Sequence, residues 1–348
     1  MWAHEPPGTS ASLISRIGGT PLFELATLSA ATGCRVLAKA EHLSPGGSVK
    51  DRVALALVRA AEASGALAPG GTVVEGTGGN TGVGLALVCA ALGYRAIFTL
   101  PPKASREKVD MLLALGAQAI VCPDVPFEDP AHYYHAAQAL AAATPGAVWA
   151  NQFESDVNRG AHESGTGPEI LRQAGAAGVD ALALAAGTGG TLGGLAACLR
   201  AANPRLRVFL IDPPGSSLKN FVDAGTLDAS AGSTFLEGIG LNRITANFRA
   251  ALPIDEAFAG SDQEALDMAY YLLRHEGVFV GPSAALNVCA AVKAARKLPP
   301  GSTVVTVLCD GGANYRSKCF SPAWLAEKGL AVGDIDSAEA RAKIAFVA

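Results

Sequence analysis

The sequence lacks several features that mark well-defined classes of protein. Its seven cysteines form no Cys-x-x-Cys pair, and most lie in apolar runs, which indicates free thiols in a reducing compartment rather than a disulfide framework. No run of about eighteen apolar residues is free of polar breaks, and the N-terminus shows neither the basic nor the apolar segment of a secretory signal. We therefore expect a cytoplasmic protein without a membrane span, and we predict no metal site.

Charge is also scarce in this sequence. Only 17% of the residues are charged, and the net charge of -4 argues against nucleic acid or another polyanion as a partner. Half of the 348 residues are apolar, which is enough for more than one compact core. We expect a single chain that folds into two lobes.

Short β-branched runs alternate with runs rich in alanine and leucine along most of the chain. "GTVVEG" precedes "NTGVGLALVCAALG", and "DALALAAG" precedes "TLGGLAACLRAAN". This alternation is typical of α/β proteins whose parallel sheets are buried on both faces. The pattern predicts a smaller domain over residues 45–155 and a larger one over residues 156–330, which also takes in roughly residues 14–44. Residues 331–348 are predicted to form a C-terminal tail.

Two glycine-rich loops follow predicted strands and lead into predicted helices. One is "EGTGGNTGVGLAL" (residues 75–87), and the other is "AAGTGGTLGGLAA" (residues 185–197). A helix N-terminus with free backbone N–H groups and nearby hydroxyls is a natural anion site. The second loop suits a phosphate group. Its candidate ligands are Gly187, Thr188, Gly189, Gly190 and Thr191.

The second loop also leaves open a nicotinamide-dependent oxidoreductase. Gly187, Gly189 and Gly193 have the spacing G-x-G-x-x-x-G, and the run "RVFLID" ends in Asp212, which could bind a ribose. The third glycine comes one position later than in the dinucleotide fingerprint. This alternative also assigns no role to the first loop.

One lysine stands where a surface lysine is not expected. In "SPGGSVKDRVAL", Lys50 follows a loop of small residues and begins an apolar helix. A lysine that forms a Schiff base needs such a loop around it and a partly desolvated amine. Pyridoxal phosphate requires this lysine, a phosphate site and a group that faces its ring nitrogen. Lys50 and the second loop therefore predict pyridoxal 5'-phosphate as the cofactor.

A series of short motifs runs in order over about residues 14–330. They are "IGGTPL", "EHLSPGGSVKDR", "EGTGGNTG", "NQF", "TGPEI", "GTGGT", "EGIG", "GPSAA" and "CDGG". With this ordered set the chain resembles the fold-type II pyridoxal-phosphate enzymes, in particular the cysteine synthase (O-acetylserine sulfhydrylase) and cystathionine β-synthase family. The resemblance implies a two-lobed α/β fold like that of the tryptophan synthase β-subunit, in which each lobe is a mostly parallel sheet flanked by helices.

The resemblance also implies roles for single residues. Lys50 would carry the cofactor, Asn80 would bond its phenolic oxygen, and Ser283 would face its pyridine nitrogen. The loop over residues 187–191 would hold the phosphate. The residues implied in amino-acid substrate binding are Thr77, Gly78, Thr81, Gln152 and Gly238. We interpret His162 and Cys309, which lie near these motifs, as structural.

The activity implied by the resemblance is β-replacement. L-cysteine would form from O-acetylserine and sulfide through an α-aminoacrylate intermediate, with Lys50 removing the α-proton. A β-elimination lyase, either a cysteine desulfhydrase or a serine/threonine dehydratase, stays open because it would use the same cofactor residues. The chain departs from the family pattern at Gly78 and Ala285, where relatives have serine and glycine, and at Asn314, where arginine is common. A homodimer is the family expectation.

Overall fold

The structure is a computed structural model that describes residues 12–348. It contains two separate sheets, each flanked by helices. The strands are β1 (Leu22–Glu24), β2 (Arg35–Lys39), β3 (Thr72–Gly76), β4 (Arg95–Leu100), β5 (Gln118–Val121), β6 (Ala147–Trp149), β7 (Ala181–Leu184), β8 (Arg207–Asp212), β9 (Glu256–Ala259) and β10 (Thr303–Val307). Within this part of the chain no helix has the length and apolar character needed to cross a membrane.

Fourteen α-helices accompany the strands within residues 12–348. The helices of the first half are α1 (Ala26–Thr32), α2 (Lys50–Ala63), α3 (Asn80–Leu92), α4 (Arg106–Ala114), α5 (Tyr133–Ala143), α6 (Asp156–Ala161) and α7 (Gly167–Ala174). Those of the second half are α8 (Gly190–Ala202), α9 (Leu218–Ala224), α10 (Ala246–Arg249), α11 (Asp262–Tyr271), α12 (Pro282–Ala295), α13 (Pro322–Glu327) and α14 (Ala338–Lys343).

Both sheets are almost entirely parallel. The smaller has the order β5-β4-β3-β6 with every pair parallel. The larger has the order β1-β2-β10-β7-β8-β9, and only its edge strand β1 runs antiparallel to its neighbour. The central strands β3, β7 and β10 are buried along their whole length, as expected for parallel strands covered by helices on both faces. The predicted α/β class is confirmed.

The largest hydrophobic core surrounds α12, in which all but one residue is buried. The last segment of the chain packs on this core, since Ile335, Ile344 and Val347 are each at most 2% exposed. Residues 22–39 join the larger sheet as β1 and β2, whereas all four strands of the smaller sheet lie between residues 72 and 149. The domain boundaries themselves stay a prediction.

A buried cluster of charges fixes the start of α2. The Arg52 guanidinium donates to Glu41 at 2.7 Å and to Glu169 at 2.7 and 2.8 Å. Lys39 adds a further bond to Glu169 at 2.7 Å. Burial alone would raise the pKa of Glu169, but the bonds from Arg52 and Lys39 lower it to about 2. Because Arg52 lies two residues after Lys50, this cluster fixes the first turn of α2 and with it the position of Lys50.

Candidate active site

One cavity of about 360 Å³ lies where the carboxyl ends of β3, β7 and β10 face each other. This is the place where parallel α/β sheets bind ligands, because their loops converge there. Every site residue that the sequence predicts, except Gly190, lines the cavity. These residues are Lys50, Thr77, Gly78, Asn80, Thr81, Gln152, Gly187, Thr188, Gly189, Thr191, Gly238 and Ser283.

Lys50 is the first residue of α2 and lines the cavity from one side. The preceding backbone is held in place by a bond from the Val49 amide to the Cys309 carbonyl at 2.8 Å. Burial lowers the pKa of the Lys50 amine, while the nearby Cys309 and Asp310 oppose that shift. A lowered pKa increases the fraction of neutral amine, which is the form that attacks carbonyl carbons and accepts protons. Lys50 is therefore suited both to bond a carbonyl carbon and to act as a base.

The second glycine-rich loop forms a cradle that side chains would fill. Gly189 has a φ of 84°, in the left-handed region that favours glycine. A Cβ atom on Gly187 would overlap the carbonyl oxygen of Gly238. Gly190 does not line the cavity, and a Cβ on it would overlap the Asn158 side chain. Since the loop leads directly into α8, the N-terminus of this helix lies at the site, where it suits an anion.

Two side chains that the sequence did not single out as site residues support this loop. Asn158 Nδ2 donates to Thr188 Oγ1 at 3.0 Å. His162 is fully buried, and its Nε2 lies 3.2 Å from Thr191 Oγ1. Burial lowers the pKa of His162 well below its ordinary value, and the positive charges of Lys50 and Arg52 lower it further. The spacing of Asn158 and His162, four residues apart in a helical segment, is the signal that could have identified them.

The first glycine-rich loop carries the predicted substrate groups between β3 and α3. Thr81 donates its hydroxyl hydrogen to Gln152 Oε1, which joins two of these groups directly. Thr77 Oγ1 accepts from the Gly79 amide at 3.1 Å. The loop is packed so closely that a Cβ atom on Gly78 would lie 2.6 Å from Ala104 Cβ. Glycine at position 78 is therefore required by the approach of the neighbouring segment.

Gly238 lies on the opposite wall, in a loop that is tied across the lobes. Its φ is 77°, again in the left-handed region. The adjacent Glu237 accepts from Lys108 Nζ at 2.6 Å and pairs also with Lys318. Lys108 belongs to α4, beside the smaller sheet, and is only 3% exposed. This ion pair ties the Gly238 loop to α4 beside the smaller sheet.

The remaining wall presents neutral polar groups. Ser283, in the first turn of α12, has its Oγ 3.3 Å from Cys309 Sγ. Burial, with a contribution from Asp310, raises the pKa of the Cys309 thiol to about 12, so the thiol is uncharged at neutral pH. Asn287 lines the cavity beside Cys309, and its Nδ2 donates to the sulfur at 3.7 Å. A ring nitrogen placed here would meet a hydroxyl and a neutral thiol.

The acidic residue that a nicotinamide-dependent oxidoreductase would need lies outside the cavity. Asp212 does not line the cavity, and its Oδ2 accepts from the Lys219 amide at 2.8 Å as part of the start of α9. Gly193 packs against the carbonyl of Asn247 inside the larger lobe. The two residues that suggested a ribose and pyrophosphate site thus serve packing and helix capping.

Glu75 is a fully buried carboxyl group directly behind the substrate loop. Burial raises its pKa to about 8, although the nearby Gln152 side chain and the backbone of Gln152, Asn151 and Gly76 act in the opposite direction. At neutral pH the group therefore carries a proton and needs no counter-charge.

Glu75→Gln should change how the free energy of unfolding depends on pH. The carboxyl ionises at 4.5 under ordinary conditions and at about 8 in the folded protein, so the folded state holds the extra proton between these values. Its stabilising contribution is complete below pH 4.5 and is lost as the pH rises through 8. Glutamine cannot ionise, so the variant should lose less stability between about pH 5 and pH 8.

Urea unfolding at several pH values measures this difference. Burial also raises the pKa of Asp51, to about 7, so Asp51 makes the free energy of unfolding fall with rising pH in the same way. This contribution is equal in the two proteins and cancels in the comparison. Identical slopes for Glu75→Gln and the parent protein would show that Glu75 is ionised in the folded state.

The groups that meet in the cavity fit pyridoxal phosphate. A buried lysine with a lowered pKa can bond the cofactor's aldehyde carbon, and a glycine cradle at a helix N-terminus can hold its phosphate. Asn80 and Ser283 line the same cavity.

Comparison with known proteins agrees with this fit. The family described as pyridoxal-phosphate dependent enzyme matches residues 13–310. Cysteine synthase 1 of Neurospora crassa is 47% identical over 326 residues, which cover 93% of this chain and 86% of that protein. The cysteine synthase of Dictyostelium discoideum is 42% identical over 339 residues, with 95% and 89% covered.

A solved structure extends the similarity to the fold. The crystal structure of the O-acetylserine dependent cystathionine beta-synthase from Helicobacter pylori superposes with a TM-score of 0.81 at 33% identity, covering 89% of this chain and 98% of that one. The expected fold-type II architecture is thereby confirmed. On these grounds the chain belongs to the family of pyridoxal-phosphate dependent enzymes, with pyridoxal phosphate as its cofactor.

Proposed function

We propose that the chain makes L-cysteine from O-acetyl-L-serine and sulfide by β-replacement. The observation that carries the proposal is the convergence of Lys50, the phosphate cradle and the hydroxyl-rich substrate loop on a single cavity. The relatives named cysteine synthase, which match most of the chain, support the same reaction.

In this proposal Lys50 removes the proton from the substrate's α-carbon and later returns it. Bound pyridoxal phosphate withdraws electrons from that carbon, which acidifies its proton and lets the β-substituent leave. The neutral Lys50 amine accepts the proton and later returns it to the same carbon. The Cβ–O bond to acetate breaks, and a Cβ–S bond to the incoming sulfide forms. No net oxidation occurs.

The residues on the other walls of the cavity bind and orient the cofactor and the substrate. The 187–191 loop and α8 hold the phosphate, and Asn80 bonds the phenolic oxygen. Thr77, Thr81 and Gln152 bind the substrate carboxylate, with backbone amides of the loop beside them. The bond between Thr81 and Gln152 keeps the two groups in register before substrate arrives, which lowers the ordering cost of binding.

Product analysis tests the proposal. The holoenzyme is incubated with O-acetylserine and sulfide, and cysteine and acetate are quantified by chromatography. We expect equal amounts of both products and little pyruvate. Pyruvate and ammonia as the main products from O-acetylserine, serine or cysteine would overturn the proposal in favour of a β-elimination lyase.

The departure at position 78 gives a sharper prediction. Gly78→Ser restores the hydroxyl that relatives have, yet we expect it to lower kcat/KM about tenfold because its Cβ would lie 2.6 Å from Ala104 Cβ. Adding Ala104→Gly makes room, so the double variant should recover most of the loss. Steady-state kinetics with O-acetylserine measures both effects. An unchanged or higher kcat/KM for Gly78→Ser alone would contradict the packing argument.

We also propose that the protein is a homodimer. Symmetric dimers are the commonest soluble oligomers, and the resemblance implies one here. Light scattering on the purified holoenzyme should give twice the chain mass of 35.2 kDa. A mass equal to that of one chain would exclude the dimer.

A further inference from the structure

Asp310 is a fully buried carboxylate that the proposed chemistry does not use. It follows β10 and is held by its own backbone, since its carbonyl accepts from the Gly281 amide at 3.0 Å. Its Oδ1 is buried without a hydrogen-bond partner, and a Cβ on Gly281 would overlap it. Burying a carboxylate is costly unless its bonds compensate. The bonds that Asp310 does make therefore indicate what it is for.

Asp310 Oδ2 accepts two hydrogen bonds. Asn80 Nδ2 donates at 2.8 Å, and the Tyr315 hydroxyl donates at 2.7 Å. The first bond joins the lobes, because Asn80 begins α3 beside the smaller sheet whereas Asp310 follows a strand of the larger one.

The bond to Asp310 determines which way the Asn80 amide points. A carboxylate can only accept, so the amide nitrogen rather than its oxygen must face Asp310. The nitrogen carries a second hydrogen, which remains available to an acceptor in the cavity that Asn80 lines. Without the carboxylate, either end of the amide could face the cavity.

Asp310 also acts on Lys50 through charge. Its negative charge raises the pKa of Lys50 and so opposes the effect of burial. Two other titratable groups are coupled to Lys50: the Cys309 thiol acts in the same direction as Asp310 only when it is ionised, and the buried His162 has its own pKa lowered by the lysine. Burial lowers the pKa of His42, and the negative charge of Asp310 opposes that shift as well. The carboxylate thus stabilises positive charge in this part of the site.

We propose that Asp310 is a positioning residue for the cofactor: its bond to Asn80 Nδ2 orients the Asn80 amide toward the phenolic oxygen. The proposal rests on the assignment of Asn80 and Lys50 to pyridoxal phosphate. It identifies a function for a residue that does not line the cavity.

Asp310→Asn tests the proposal, because it keeps the shape and removes the charge. Pyridoxal phosphate should bind the variant about 10- to 100-fold more weakly, as expected for the loss of a bond to a charged group. The pH midpoint of the bound cofactor's visible absorption band, which reports the proton on the Lys50 nitrogen, should fall by about one unit. Tyr315→Phe is the matched control. It removes the other bond to Asp310 but leaves the charge of Asp310 in place. The affinity for pyridoxal phosphate should therefore stay within about twofold of the parent value, and the pH midpoint within about 0.3 units.

A double-mutant cycle separates positioning from general support. If Asp310 acts through Asn80, the loss of affinity in Asp310→Asn combined with Asn80→Ala should be smaller than the sum of the two single losses. Additive losses, or an Asp310→Asn variant with the parent affinity and midpoint, would overturn the proposal. Circular dichroism and thermal unfolding verify the fold, and Asp310→Ser, smaller and also uncharged, replaces Asp310→Asn if that variant does not fold. Failure of the parent protein to bind pyridoxal phosphate would instead refute the proposed function.

Discussion

Lys50→Ala is expected to lower the rate of cysteine formation at least about 1,000-fold. Lys50 lines the cavity, and burial lowers its pKa, which favours the neutral amine where the α-proton must be removed. Alanine offers neither the bond to the cofactor nor a base. The rate is measured by cysteine production from O-acetylserine and sulfide at saturating concentrations of pyridoxal phosphate, so that weaker cofactor binding does not account for the loss.

Lys343→Ala is the matched control for this experiment. Its side chain is 70% exposed and pairs with Glu339 on α14, so the variant should retain the parent rate within about twofold. A Lys50→Ala variant with more than about a tenth of the parent rate would show that another group removes the proton. The two other lysines that line the cavity, Lys103 and Lys108, would then be the first candidates.

Gly187→Ala should weaken pyridoxal phosphate binding about tenfold or more. The new Cβ would overlap the Gly238 carbonyl oxygen, which belongs to backbone and cannot rotate away. Either the phosphate cradle or the Gly238 loop must shift, and both border the cavity. Titration of the apoprotein with pyridoxal phosphate, followed by absorbance, gives the dissociation constant.

Gly160→Ala serves as the control for the added methyl group. Gly160 lies in α6, and a Cβ built on it meets nothing within 4 Å. Its affinity for pyridoxal phosphate should equal that of the parent. An unchanged affinity in Gly187→Ala as well would mean that the loop is not the phosphate site.

The parts of the site that the sequence predicts are those encoded locally. A glycine-rich stretch after a buried strand specifies an anion loop within a few residues. The same holds for Lys50, whose small neighbours and helix start are adjacent in the chain. The alternation of strands and helices likewise reflects local periodicity, and the parallel sheets follow from it.

The parts that sequence reasoning missed depend on contacts between distant segments. Asn80 and Asp310 are 230 residues apart, and Arg52 and Glu169 are 117 apart. Neither pair leaves a local pattern, because each partner alone is an ordinary polar residue. The reason for Gly78 was also hidden, since only the folded chain brings Ala104 against it.

Covalent labelling of the holoenzyme tests the central claim most directly. Borohydride converts the reversible bond between pyridoxal phosphate and a lysine into a stable C–N bond, and peptide mass spectrometry then locates the modified residue. The account predicts a single modified lysine, Lys50. A label on Lys103 or Lys108, or no label on a protein that binds pyridoxal phosphate, would contradict it.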